Sequence, residues 1–573
     1  LAARAEASRL QRAIRTAILD LRREQLDAQA EMLRTGPSRQ ANNTRPRDFW
    51  ATVRGYFCPA PPPPPPLETG SNLPPAVEAA DRAATFARHL EAALGGLDDP
   101  AFDAAFYEAT ERQVSNDRDL SPLDQLPPAQ PALRSALQQE DPTRPVSPAE
   151  VASAISRLRR GKAPGRDGVS SDLLKEAPPA VSDLLAGVFS SSLALGWFPA
   201  CWRFSVVRLL PKAGRRLNRP ADFRPISLSP VMGKLLEAIF ARRLLHLLGQ
   251  RSVLPPEQTA FQPASGAIEQ VLLLVQRAGQ ALNAGLATTV VSLDVAKAFD
   301  TVWHAGLLRT CKEHLPAPSA RWIAAFLRER RMAVLEEGHL SRAFPLRTGV
   351  PQGSPLSPLL FILFVASMPL PRGELEGATV YADDVALWCS DSTPATAWSR
   401  LRPHLEDVIA WCHRWRLRLS PEKTQLAFFS RRRPLPATWT PDVQLLGEPL
   451  VWRDHLDLLG VRLDRQLHFT PHALRLAARV APRSLALRRL MAISRRVPAW
   501  IGVLLYKVMI RSVLLYAAPV AIMANFSAER LLERTERRGL RAATRSRTAL
   551  PATELYARSH VAPLREEIKR LAS

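Results

Sequence analysis

Tyr381-Ala382-Asp383-Asp384-Val385-Ala386-Leu387-Trp388 places two adjacent carboxylates between an aromatic residue and an apolar run. Apolar and aromatic residues favour strands and Asp favours turns, so this stretch predicts a hairpin carrying the Asp pair. Upstream, Thr288 to Leu293 predicts a strand, and Asp294 sits at its end. Each feature alone has an ordinary explanation. An Asp-rich hairpin tip is often only a solvated turn, and an Asp after a strand is more often a helix N-cap. The three together ask for more. Two carboxylates in contact repel by about 4 kcal/mol at an effective dielectric near 20. A fold gathers three of them only with positive charge in their midst, and hard divalent cations on carboxylate oxygens are the usual source. A pair of Mg²⁺ ions held in this way carries out phosphoryl or nucleotidyl transfer.

Between these elements lies Gly349-Val350-Pro351-Gln352-Gly353-Ser354-Pro355-Leu356-Ser357-Pro358-Leu359-Leu360-Phe361. Gly349 and Gly353 allow backbone to approach a ligand closely. Ser354-Pro355 predicts the cap of a buried helix with its body at Leu359 to Val365. A buried helix behind a turn explains the apolar run, but not Gln352 between two permissive backbone positions.

The whole chain has 573 residues, 46% of them hydrophobic and 23% charged, which fits a globular protein with several subdomains. Its formal net charge of +23 points to a polyanionic partner. The longest apolar run, Leu359 to Met368, is about half the length a membrane span needs, so nucleic acid is favoured over lipid and no membrane partner is expected. Basic residues are overwhelmingly Arg, and coding bias accounts for most of that. Of the nine lysines, Lys212, Lys297 and Lys423 fall inside the segments of interest. The five cysteines are scattered without a CxxC pair, so neither a disulfide framework nor a structural zinc is expected. Position 1 is Leu, which suggests a fragment with a preceding domain missing.

Residues 4–34 predict an amphipathic helix, Arg45 to Phe57 is a basic-aromatic patch, and Pro61 to Pro66 is a stiff proline run. Residues 75–115 read as helical. Ser147-Pro148-Ala149-Glu150 starts a capped helix expected to run to Arg160 and stop at Gly161, before a basic glycine loop. The expected domains are a helical linker region over 1–60, a Pro-rich linker over 61–74, a helical N-terminal extension over 75–145, a central body over 146–470 and a basic helical region over 471–573.

The ordered set resembles the motif series of reverse transcriptases, most closely those of non-LTR retrotransposons of the jockey-type group. The residues that carry the resemblance are Arg224-Pro225-Ile226-Ser227-Leu228, the block from Asp294 to His304, Gly349 to Phe361, Tyr381 to Asp384, Glu422-Lys423-Thr424 and Leu459-Gly460-Val461. Asp167-Gly168 and Gly196-Trp197-Phe198-Pro199 also fit the group. The resemblance is strong over about 150–470 and looser beyond.

It implies an α+β right-hand polymerase with fingers, palm and thumb, an antiparallel palm sheet and a helical N-terminal extension. It also implies an RNA-directed DNA polymerase that transfers nucleotides from dNTPs to a primer 3′-hydroxyl on an RNA template. By the same resemblance, Asp294, Asp383 and Asp384 are the catalytic carboxylates. With the Val295 carbonyl they hold two Mg²⁺ ions, for which Mn²⁺ is a substitute. Lys212 and Arg224 grip the triphosphate, Phe299 is the aromatic gate under the sugar, and Gln352 and Gly353 contact the incoming nucleotide. Lys423 lies near the leaving phosphate, and Leu459-Gly460-Val461 corresponds to the primer grip. RNA template, DNA primer or target and dNTPs are the implied partners. An upstream endonuclease and a nuclear and cytoplasmic ribonucleoprotein location are further expectations.

The sequence departs from the group at Ile362, where a polar residue is usual. Viral RNA-copying enzymes usually show Gly-Asp-Asp and a polar gate, where this chain has Ala382 and Phe299. The alternative is a catalytically silent, polymerase-derived RNA-binding protein.

Overall fold

The computed structural model describes residues 65–572, apart from 70–74, 97–98, 121–140, 213, 264, 432–443, 446–447, 494–496, 522–523 and 547–549. The readings over 4–34, Arg45 to Phe57 and the start of the proline run lie outside the described residues. The described chain divides into two units. One comprises 65–274 and 280–453, the other 454–572 with 275–279.

In the larger unit the strands are β1 (Phe204–Pro211), β2 (Phe223–Leu228), β3 (Ala287–Asp294), β4 (Arg331–Glu336), β5 (His339–Leu340), β6 (Phe344–Pro345), β7 (Glu376–Tyr381), β8 (Asp384–Asp391) and β9 (Gln425–Phe429). Two short strands, β10 (Gln444–Leu445) and β11 (Glu448–Pro449), pair with each other. With the helices around them these sheets make an α+β fold.

One sheet has the order β7-β8-β3-β9 and is antiparallel throughout. Along β3 every residue from Ala287 to Leu293 is buried, and along β8 every residue from Val385 to Ser390. A strand covered on both faces needs no polar alternation, which explains why the sequence reads as continuous apolar runs. The helix Pro394–Arg414 packs against β8 and β3, and its apolar face (Ala397, Leu401, Leu405, Val408) is fully buried. Helix Ser357–Phe364 is buried along nearly its whole length in the same core.

The second sheet runs β2-β1-β4-β5, with β6 also on β4. It is mixed: β1 and β2 are antiparallel, but β1 and β4 are parallel, with Val206 opposite Ala333. Helix Ala79–Ala93 covers its apolar face. Phe86 of that helix meets Phe223 edge-on at 5.0 Å within a cluster that includes Val207, Val334 and Phe344.

Two helix boundaries differ from expectation. Ser147 caps its helix through the anticipated capping box with Glu150, but the helix ends at Arg157 rather than Arg160. Leu158 turns to ψ 139° and its N–H donates to Ile155 O, which takes the chain out of the helix. Arg160 instead reaches Glu176 at 2.7 Å. The helix after the Pro-Gln-Gly segment begins at Ser357, three residues beyond Ser354. Ser354 Oγ accepts from the N–H groups of Leu356 and Ser357 and donates to the buried Glu237 carboxylate at 2.5 Å. It therefore closes a turn ahead of the helix rather than standing next to it.

The smaller unit holds the hairpin β12 (His455–Leu458) and β13 (Val461–Asp464), which turns at Leu459 and Gly460. Helices follow from Thr470 onward. Buried Glu536 joins them, accepting from Tyr506, Tyr556, Arg511 and the Leu564 N–H.

Candidate active site

The β3–β8 register sets Asp294 directly opposite Asp384. Register partners share a sheet face with Cβ atoms about 5 Å apart, so these two carboxylates stand side by side. Asp383 precedes Asp384 in the two-residue turn from β7, where Ala382 has φ 57°. Gln258 holds that turn: its Oε1 accepts from the Ala382 N–H at 3.0 Å. At the end of β3 the backbone continues into a bridge with Leu419. Ala296 N–H donates to Arg418 O and Ser420 N–H to Asp294 O. The Val295 carbonyl lies between these bonds and takes part in neither.

The electrostatics match a site short of positive charge. Burial pushes the Asp383 carboxyl above the usual range, and the Asp294 charge adds to this. Burial, then Asp383 and Asp294, push Asp384 up to about 6. Lys423 Nζ donates to Asp294 Oδ2 at 2.8 Å and opposes these shifts.

A cavity of about 620 Å³ opens at this end of the sheet. Lys212, Arg224, Val295, Phe299, Gln352, Gly353, Asp383 and Lys423 all line it. Asp294 and Asp384 adjoin it through Lys423 and Asp383. The candidate metal and nucleotide residues of the larger unit thus line this cavity or adjoin it. The Leu459-Gly460-Val461 turn belongs to the other unit.

Local chemistry fixes each wall. Phe299 stacks on Phe361 at 4.9 Å with planes 23° apart, and its carbonyl accepts from Val350 N–H. Gln352 Nε2 donates to Asp300 Oδ1 at 2.7 Å, while Gln352 O accepts from Ser227 N–H. Gly353 has φ 112°, and a Cβ there would lie 2.8 Å from Ser227 O, so only glycine fits. Lys212 Nζ donates to Ala221 O. Burial and the charges of Lys423 and Arg224 depress its pKa.

Sequence reading missed two residues here, Asp300 and His89, and gave a third, Lys297, no role. Asp300 is nearly buried, its carboxyl raised by that burial, and it anchors Gln352. Lys297 lines the wall in a left-handed conformation, φ 52°. His89, from the helix Ala79–Ala93, faces them. Asp300 and Lys297 stood inside a quoted motif, whereas an amphipathic helix gives no signal that one face meets a cavity.

Residues 210–463 match the family described as reverse transcriptase (RNA-dependent DNA polymerase). This region is thus similar to reverse transcriptases. The chain is 33% identical over 347 residues to the probable RNA-directed DNA polymerase from transposon BS of Drosophila melanogaster, covering 60% of this chain and 38% of that protein. It is 32% identical over 346 residues to the RNA-directed DNA polymerase from mobile element jockey of the same species, covering 59% and 37%. The X-element polymerase gives 32% over 369 residues, covering 63% and 40%. The chain thus spans about two fifths of the length of the curated relatives it matches. The resemblance to jockey-type reverse transcriptases holds, and the family as a whole uses divalent metal ions.

Among the described residues the acidic trio is not gathered within 4.8 Å at its carboxylate oxygens, and one different group of metal-capable side chains is. Ligand atoms of Glu376, Cys389 and His404 lie within 4.8 Å of one another at the far end of β7 and β8. Arg400 already pairs with Glu376 at 3.2 Å, and the Cys389 thiol is held protonated by burial, pushed up to about 12. An ion-pair cluster accounts for it. No helix among the described residues is long and apolar enough to cross a membrane.

Proposed function

We propose that the chain is an RNA-directed DNA polymerase of a non-LTR retrotransposon, which extends a primer 3′-hydroxyl with dNTPs on an RNA template. One observation carries the reading. Asp294 and Asp384 stand opposite each other with Asp383 in the adjoining turn, beside a cavity walled by Lys212, Arg224, Lys297 and Lys423.

The donor set fits hard cations. It offers carboxylate and carbonyl oxygens, and two of its carboxyls are displaced upward by burial first and by their acidic neighbours second. In this reading Asp294, Asp383, Asp384 and the Val295 carbonyl hold two Mg²⁺ ions, with Mn²⁺ as a substitute. Bound there, the metals supply Lewis-acid stabilisation of the attacking and leaving oxygens.

The chain's own groups do the rest. Lys212 and Arg224 donate to the triphosphate, where charge-assisted bonds are strongest. Phe299, braced by Phe361, lies under the sugar and leaves no room for a 2′-hydroxyl. Asp300 orients Gln352 toward the incoming nucleotide, and Gly353 lets backbone approach it. Lys423 holds a proton at Nζ near the leaving pyrophosphate. The β7-β8-β3-β9 sheet would be the palm, the β2-β1-β4-β5 sheet part of the fingers, and the helices after 470 the thumb. RNA template and DNA primer are held through phosphates.

The test is primer extension on RNA with dNTPs and Mg²⁺. Synthesis that stops when Mg²⁺ is chelated is the expected result. A folded chain that binds RNA but adds no nucleotide would instead be a polymerase-derived binding protein.

A further inference from the structure

The cavity has a wall that the matched family region does not supply. Phe86, His89, Leu90 and Ala93 line it, and their spacing puts them on one face of the helix Ala79–Ala93. This helix lies more than a hundred residues before the matched segment begins at 210.

The helix is pinned along its length. Arg82 donates to Glu336 Oε1 at 3.2 Å, an ion pair with both side chains largely buried. Phe86 is locked against Phe223. At the C-terminal end Leu94 O accepts from Thr348 N–H at 3.1 Å, and Thr348 adjoins the Gly349 to Gly353 loop. His89 lies between these anchors, so its imidazole is held against the cavity.

Its surroundings are one-sided. Lys297 and Lys212 lie close enough to disfavour the imidazolium, which burial already depresses. Arg224 and Lys423 line the same cavity. The acidic groups there are otherwise engaged. Asp300 accepts from Gln352, and Asp383 belongs to the acidic trio. His89 has no hydrogen-bond partner among the described residues. A half-buried imidazole beside two lysines is placed to meet an anion that enters the cavity.

We propose that His89 is a contact for the polyphosphate of the incoming nucleoside triphosphate, donating an N–H to a phosphate oxygen from the wall formed by the helix Ala79–Ala93. This rests on the polymerase reading for the identity of the ligand. The bound anion would favour the imidazolium, so His89 takes up a proton from solvent on binding.

Two measurements on the full chain test it. In the first, the wild-type histidine Cε1–H resonances are followed by NMR against pH, with and without inorganic tripolyphosphate. The His89 resonance is identified by its loss in His89→Gln. Its midpoint should move upward with tripolyphosphate, and an unmoved midpoint overturns the proposal whether or not the chain polymerises. In the second, primer extension compares wild type with His89→Ala and His89→Gln. The expected result is a rise of about tenfold in the KM for dNTP in His89→Ala, with kcat changed less than threefold. Inhibition by pyrophosphate should weaken in parallel, and His89→Gln, which keeps an N–H donor, should recover part of the loss. Unchanged KM and pyrophosphate inhibition in a folded His89→Ala overturn the proposal while the polymerase reading stands. A wild-type chain that adds no nucleotide defeats that reading and leaves the tripolyphosphate titration to decide for His89.

Discussion

Replacing Asp384 with Asn should abolish synthesis and, without metal, make the protein more stable. The Asp384 carboxyl is raised from 3.8 to about 6 by burial and by its two acidic neighbours. A group whose folded pKa lies above its unfolded value favours the fold when protonated. That contribution is complete below about 3.8 and is lost as pH rises through about 6. Two units correspond to about 3 kcal/mol at most. The site opens to a solvent-filled cavity, so screening reduces this to about 1–2 kcal/mol. Asn is nearly isosteric and uncharged, and Asp384 makes no side-chain hydrogen bond among the described residues that it would forfeit. The gain should therefore appear in full at pH 8 and fade toward pH 4. For a unit of roughly 385 residues it amounts to a rise of about 1–3 °C in Tm. Calorimetry in a chelating buffer at the two pH values measures it. Added Mn²⁺ should then raise the Tm of the wild type more than that of the variant. A variant less stable than wild type at pH 8 in chelator, or equally stabilised at pH 4 and pH 8, would refute the claim that the trio is held under charge strain.

Three other outcomes follow from the same geometry. Asp383→Asn should eliminate primer extension with an unchanged circular dichroism spectrum; retained extension would remove Asp383 from the metal set. Phe299→Ala should raise ribonucleotide incorporation relative to deoxynucleotide by at least about tenfold, since it clears the space beside Phe361; unaltered discrimination places the gate elsewhere. Gly353→Ala forces a Cβ to 2.8 Å from Ser227 O at φ 112°, so it should cost about 1–3 kcal/mol and at least about tenfold in activity. A variant as active and as stable as wild type would show that the loop is soft.

The acidic trio was legible because local pattern and chemistry coincide there. Runs of apolar residues fix β3 and β8 as buried strands, and a buried strand that ends in Asp has nowhere to put the charge except a polar cleft. Lys423 was legible only through the motif order, since its ion pair with Asp294 joins residues that no periodicity relates. The parallel pairing of β1 with β4 left no mark, because more than a hundred residues separate the partners and a parallel strand reads like any buried run. Helix ends moved by three residues at Arg157 and Ser357. There the decisive bonds, Leu158 to Ile155 and Ser354 to Glu237, depend on backbone turns and a tertiary partner rather than on propensity.

The cavity's precision comes from contacts between segments remote in sequence. Gly349 N–H donates to Val302 O, Val350 N–H to Phe299 O and Ser227 N–H to Gln352 O. His304 Nε2–H donates to Gly349 O at 2.8 Å, and burial holds that ring neutral. Thr348, one residue before this loop, bonds to Leu94 at the end of the helix that bears His89. The loop carrying Gln352 is thus clamped between the block around Phe299 on one side and the helix Ala79–Ala93 on the other. Moving the helix would pull on Thr348, and the loop could not yield without breaking backbone hydrogen bonds in a buried setting, each worth about 1 kcal/mol or more. The segment before the matched region is therefore mechanically part of the cavity wall, and removing it should loosen the hold on Gln352 even where every matched motif residue is retained.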